Sequence, residues 1–185
     1  MKTYSLFTAI LALGLLFAAC DEEDEPDTRQ ALEGKYDMDD SEVRITQATP
    51  ALDSTMAIDL DAKISLDVYD YLDKDELQLN LNVFVEKLIQ NTLITVLGNA
   101  AIIVNVDIDE RETVAEIQGE EFSLDEFDFR MPIMIEGGDL FLFNVQVELS
   151  GEVNGDEIEI EYDILMSRGT YSPLRLRGTS TGEKD

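Results

Sequence analysis

Three features of the chain predict an all-β domain. Apolar residues recur at every second position in run after run, short polar turns separate those runs, and one stretch alone carries helical spacing. Period-two alternation gives a strand one buried and one wet face, as antiparallel pairing allows, and short turns join neighbours directly. Roughly eight to ten such strands describe an antiparallel meander that closes into a barrel or, as the alternative, folds into a β-sandwich. Nothing in the pattern calls for a parallel sheet, a repeat of fixed period or a second domain.

Taken in order, the domain begins near Leu32-Glu33-Gly34-Lys35-Tyr36, and Asp37 to Ser41 reads as an Asp-rich turn. Val43, Ile45 and Gln47 form a strand that Pro50 ends. The clearest alternation follows, with Met56, Ile58, Leu60, Ala62, Ile64, Leu66 and Val68 on one face. After a turn over Tyr71 to Asp75, Leu77, Leu79, Leu81, Val83 and Val85 return as the second arm of a hairpin. Phe84, Leu88, Ile89, Leu93, Val96 and Leu97 then share one face of a 3.6-residue repeat, and Gly98-Asn99 suits a helix C-cap. A short amphipathic helix is the reading; β-branched Thr92, Ile94, Thr95 and Val96 leave a strand as the alternative. Its apolar face is assigned to the core.

Strands are expected at Ala100 to Ile108, Val114 to Ile117, Phe122 to Phe129 and Met131 to Ile135, the last reaching a Gly137-Gly138 turn. Pro132 marks an edge or a bulge. Leu140 through Leu149 place Phe141, Phe143, Val145, Val147 and Leu149 on one face. Asn154-Gly155 suits a type I′ hairpin turn. Ile158, Ile160, Tyr162 and Ile164 alternate against acidic neighbours, and Leu174 to Leu176 forms the last strand after Pro173.

The N-terminus is an address, separate from the fold. Lys2 supplies a short positive region, Leu6 to Phe17 is an apolar run too short to remain across a bilayer, and Ala18-Ala19 precede Cys20, the one cysteine of the chain. This arrangement resembles a bacterial lipoprotein signal, with Phe17 where Leu is usual. The resemblance implies cleavage before Cys20, a diacylglycerol on its sulfur and an acylated new amino group. Residues 1–19 are then the leader, 20–31 a flexible acidic tether, and 32–182 the domain. The run Asp21, Glu22, Glu23, Asp24 and Glu25, closed by Pro26, resembles the export signal that sends lipoproteins of Bacteroidetes-type bacteria to the outer face of the outer membrane. The periplasmic face is the alternative location.

Composition narrows the chemistry. Losing Lys2 with the leader leaves 12 basic against 41 acidic residues, a formal charge of −29. That excess argues against nucleic acid or an anionic membrane face as a partner, since phosphate contacts need Lys and Arg. With no His, there is no Ser-His-Asp or Cys-His triad, no HExxH zinc site and no imidazole base. No metal or cofactor site is assigned. Asp70, Asp73 and Asp75, like Asp37, Asp39 and Asp40, crowd one turn but lack the EF-hand order, and read as solvated turns. With no Trp, stacking on a sugar has little support.

Gly34-Lys35-Tyr36 at the domain entry and Arg175-Leu176-Arg177-Gly178-Thr179 at its exit resemble the lipocalin-like, or calycin, domains found as lipoproteins in gut Bacteroidetes. Such barrels start at Gly-x-Trp and are closed by a late Arg stacked on that aromatic; here Tyr36 replaces Trp, and either Arg175 or Arg177 is the stacking partner. The resemblance implies an interior able to hold a small hydrophobic ligand or lipid, lined by Leu79, Leu81, Phe141, Phe143 and Tyr162. Those residues could equally fill a closed core. The expected function is non-catalytic ligand binding at the cell envelope, on a membrane lipid anchor. An accessory surface protein for a glycan or protein partner comes second, and a carboxylate-only hydrolase third. Arg168, Arg175 and Arg177 are expected to offset neighbouring acidic residues.

Overall fold

The computed structural model describes residues 27–98, 101–135 and 139–185. The leader, Cys20, the acidic run at 21–25 and the Gly137-Gly138 turn lie outside the described residues. A short helix α1 (Arg29–Leu32) precedes nine strands: β1 (Gly34–Gln47), β2 (Leu52–Asp67), β3 (Glu76–Asn80), β4 (Ile102–Val104), β5 (Val114–Gln118), β6 (Glu121–Ile135), β7 (Asp139–Asn154), β8 (Glu157–Ser167) and β9 (Leu174–Lys184). Helix α2 (Asn82–Leu97) separates β3 from β4. All pairings are antiparallel, and β6 pairs with β7 as well as β5, so a ring of hydrogen bonds runs β1-β2-β3-β5-β6-β7-β8-β9 and back to β1. Eight strands thus close an up-and-down meander, and β4 hangs on the far end of β6 as a ninth.

Alternation explains the wall. Ile58, Leu60, Ala62, Ile64 and Leu66 of β2 are buried while Asp59, Asp61 and Lys63 between them are exposed. On β8, Ile158, Ile160, Tyr162 and Ile164 point in and Glu157, Glu159 and Glu161 point out. Asp37 to Ser41 is not a turn: β1 runs straight through it, with Asp39 bulged against β9, where Met38 and Asp40 pair with the adjacent Gly182 and Thr181. The second arm after β2 is short, because Leu81 onward turns into α2. There Phe84, Val85, Leu88, Ile89 and Leu93 are buried, and Gly98 caps the helix in the left-handed conformation at φ 63°. Burial of that face outweighs the β preference of Thr92 and Ile94, and Thr92 donates its hydroxyl to the Leu88 carbonyl at 2.6 Å.

The strand expected from Ala100 to Ile108 shrinks to three residues. The chain then leaves the sheet, and Asn82 accepts a hydrogen bond from the Ile108 amide at 2.8 Å. Pro132 lies inside β6 just past its last pairing with β4, where a missing N–H costs little. The β7–β8 hairpin turns on Gly155-Asp156, with positive φ at Gly155 and none at Asp156. That pattern fits a type II′ turn in place of type I′. Order also extends further than expected at both ends. Arg29 is buried, and its Nη1 donates to the carbonyls of Leu72, Asp73 and Glu76 at 3.4, 2.9 and 3.5 Å. Residues 27–31 therefore belong to the domain and not to the tether. At the other end β9 continues eight residues beyond Leu176 to Lys184.

Candidate functional site

The five side chains expected to line a cavity divide into two groups. Leu79, Leu81 and Tyr162 lie in the packed core. Phe84 enters from α2 and meets Tyr162 edge to face, ring centroids 6.1 Å apart at 74°. The Tyr162 hydroxyl shares a 2.7 Å hydrogen bond with the Ser41 hydroxyl, across the seam where β1 meets β9. Burial lifts the Tyr162 phenol to about 12, against the opposing hydrogen bond with Ser41. Phe84 from the helix and this polar node thus meet inside the barrel wall.

Phe141 and Phe143 are different: both remain half-buried at the end of the barrel where β6 ends and β7 begins. The Arg168 guanidinium stands 4.4 Å from the centre of the Phe141 ring and 5.7 Å from that of Tyr171. On the outer face of the same strands, Leu140 is 65% and Leu142 52% exposed. Register joins them to their neighbours: Ile103, Met134 and Leu140 form one row across β4, β6 and β7, and Pro132 faces Leu142 in the next. Ile103 and Met134 are also exposed. This end of the sheet is apolar on both faces, which an isolated soluble hairpin has no reason to be. Sequence reasoning caught Phe141 and Phe143 but missed the outer face. The available signal was Leu140-Phe141-Leu142-Phe143, four apolar residues in a row where a one-sided strand would alternate.

The expected closure of the barrel by Arg175 or Arg177 on Tyr36 is corrected. Tyr36 pairs in register with Lys184, whose ammonium lies 5.8 Å from the ring centre, while Arg175 sits opposite Thr46 and Arg177 opposite Arg44 at the other end of the seam. The Tyr36 hydroxyl donates to the Leu32 carbonyl at 2.8 Å. Both arginines instead hold Asp163: Arg175 through Nε at 2.6 Å and Arg177 through Nε at 2.7 Å. Burial pushes the Asp163 carboxyl up, but the two guanidinium groups outweigh it and hold it below the ordinary carboxylate range. What closes the seam is small residues. A Cβ on Gly178 would run into the Glu42 carbonyl and lie 2.6 Å from the Tyr162 hydroxyl, and one on Gly182 would meet the Asp37 carbonyl and the Met38 sulfur.

Glu121, Glu126, Glu148, Glu152, Glu157, Glu159 and Glu161 of β6 to β8 are exposed. Glu121, Glu152 and Glu159 stand opposite one another across three strands, and with Glu116 and Glu161 they border an open cleft of about 650 Å³. Such facing like charges repel, and the cleft is a solvated surface. Asp37 is taken by Lys63 at 2.8 Å, and Asp39 lies in the β1 bulge. Among the described residues, no helix is long and apolar enough to cross a membrane.

No protein-family model matches the chain, and no curated protein matches it. Among solved structures, a candidate outer membrane protein from Bacteroides fragilis is similar at 10% identity and a TM-score of 0.39, over 86% of this chain and 53% of that one. The chain therefore spans about half the length of that protein.

Proposed function

We propose that this is a lipid-anchored, non-catalytic protein of the cell envelope, lipocalin-like in its barrel, which works through the outside of that barrel. It docks the apolar β6–β7 end against a partner protein. One observation carries the reading: Ile103, Met134 and Leu140 are exposed in one row with exposed Leu142 in the next, beside half-buried Phe141 and Phe143, on a strongly acidic chain. A chain of this charge gains nothing in solubility from such a patch, and apolar surface of this kind is stabilised when a partner covers it. The outward placement of Glu121, Glu148, Glu152, Glu159 and Glu161 speaks against an inward carboxylate pair and so against a hydrolase.

A second reading is favoured by Phe141 and Phe143, which keep contact with solvent at the barrel end: a small hydrophobic molecule would lodge between them under Arg168. Native mass spectrometry of residues 27–185 separates the two. A clean apo mass with no uptake of a hydrophobic fluorescent probe is the outcome expected for docking. A stoichiometric apolar adduct, lost in Phe141→Ala, would replace it with the small-ligand reading.

A further inference from the structure

At the opposite end of the barrel, the turn between β2 and β3 carries Tyr69 and Tyr71 stacked on each other, ring centroids 5.2 Å apart and planes 12° from parallel. Tyr71 is 74% exposed. The same turn holds the start of the described chain. Arg29 donates to its carbonyls at Leu72 and Asp73, and its Nη2 meets the Asp27 carboxylate at 2.7 Å. The chain is thus fastened beside the two tyrosines before it leaves toward Cys20.

We infer that the Tyr69–Tyr71 turn rests at the headgroup layer of the anchoring bilayer, and that the apolar β6–β7 end points away from it; this rests on the lipid-anchor reading of Cys20. Length decides the orientation. The seven residues 20–26 span at most about 25 Å fully extended. The barrel end carrying Leu140 and Tyr171 lies about 40 Å further off, since β7 has 16 residues rising ~3.3 Å each on strands tilted roughly 40°. An upright barrel cannot turn its far end to the membrane on a tether of that reach, whereas the tyrosine turn stands at the tether's root. A phenol ring suits the place: its body is apolar and its hydroxyl remains wet at headgroup depth. Asp70, Asp73 and Asp75 flank the pair and oppose anionic headgroups, so the surface it fits is zwitterionic.

The chain contains no Trp, so one introduced indole reports on its own position. Lipidated full-length Tyr71→Trp and Tyr171→Trp are each reconstituted in phosphatidylcholine vesicles carrying a spin-labelled lipid; both positions are exposed, so neither substitution opens the core. The indole at position 71 should be quenched several-fold more strongly than the one at position 171, with blue-shifted emission. Equal quenching of the two, in protein that floats with the vesicles and shows the acyl mass on Cys20, overturns the inference and leaves the lipid anchor standing. Protein that neither floats nor carries the acyl mass overturns the anchor reading and the inference with it.

Discussion

Replacing Phe84 with Ala tests whether the barrel is filled by its own chain. The ring is fully buried and stands edge to face with Tyr162 at 6.1 Å. Truncating a buried Phe to Ala costs about 3–5 kcal/mol, of which the aromatic pair supplies roughly 0.5–1.5. For a domain of this size, each kcal/mol moves the melting temperature by about 2–4 °C, so a drop of roughly 6–20 °C is expected by calorimetry. The same substitution should open a dry apolar space lined by Leu88, Tyr162 and their neighbours, and such spaces take up small aromatics. Benzene added to Phe84→Ala should restore part of the lost stability, while the wild type should not respond. A wild type already stabilised by benzene, or a Phe84→Ala protein that melts within about 1–2 °C of it, would refute the filled interior.

Three further outcomes follow from the same geometry. Gly178→Ala should fail to fold or lose the β1–β9 seam, because its Cβ has only the Glu42 carbonyl and the Tyr162 hydroxyl to enter; circular dichroism and hydrogen exchange across β9 read this, and a native-like variant would contradict the packing. Tyr162 should ionise near pH 12 in the folded state against about 10 when unfolded, so its share of stability is whole below pH 10 and is lost as pH rises toward 12. Tyrosinate absorbance followed with unfolding curves checks it, and a full set of tyrosines ionising near pH 10 in folded protein would count against burial. Raising the salt concentration should stabilise the domain, since Glu121, Glu152 and Glu159 face one another across β6, β7 and β8. A melting temperature that falls as sodium chloride rises would mean that attractive ion pairs such as Lys63 with Asp37 dominate instead.

Much of the wall was legible because one-sided strands print their geometry as alternation. The buried alternation from Ile58 to Leu66 and from Ile158 to Ile164 needed nothing else. The rest was hidden for physical reasons. Beyond Leu176, β9 has no apolar residue to mark it; it persists because β1 and β8 pair with it on both sides, and because Gly178, Ser180 and Gly182 leave room for Tyr162 and Met38. Asp37 to Ser41 imitates a turn, yet the Asp39 bulge against β9 lets the strand carry those carboxylates outward. Val83 and Val85 continued the β3 alternation on paper, but the helical spacing that begins at Phe84 buries a larger face. Tyr36 and the late arginines were assigned to each other by resemblance alone, and register separates them. Arg29 gave no signal at all, since its role depends on three carbonyls more than forty residues away.

The most direct test of an outward-facing docking end is made in the producing cells. A photo-reactive phenylalanine is placed at position 142, on the apolar outer face, or at position 159, in the acidic row, and irradiated in place. Docking of the β6–β7 end predicts a discrete higher-mass adduct from position 142 that disappears when Leu140→Asp is added, and none from position 159. No adduct from position 142, or the same adduct from both, would contradict it.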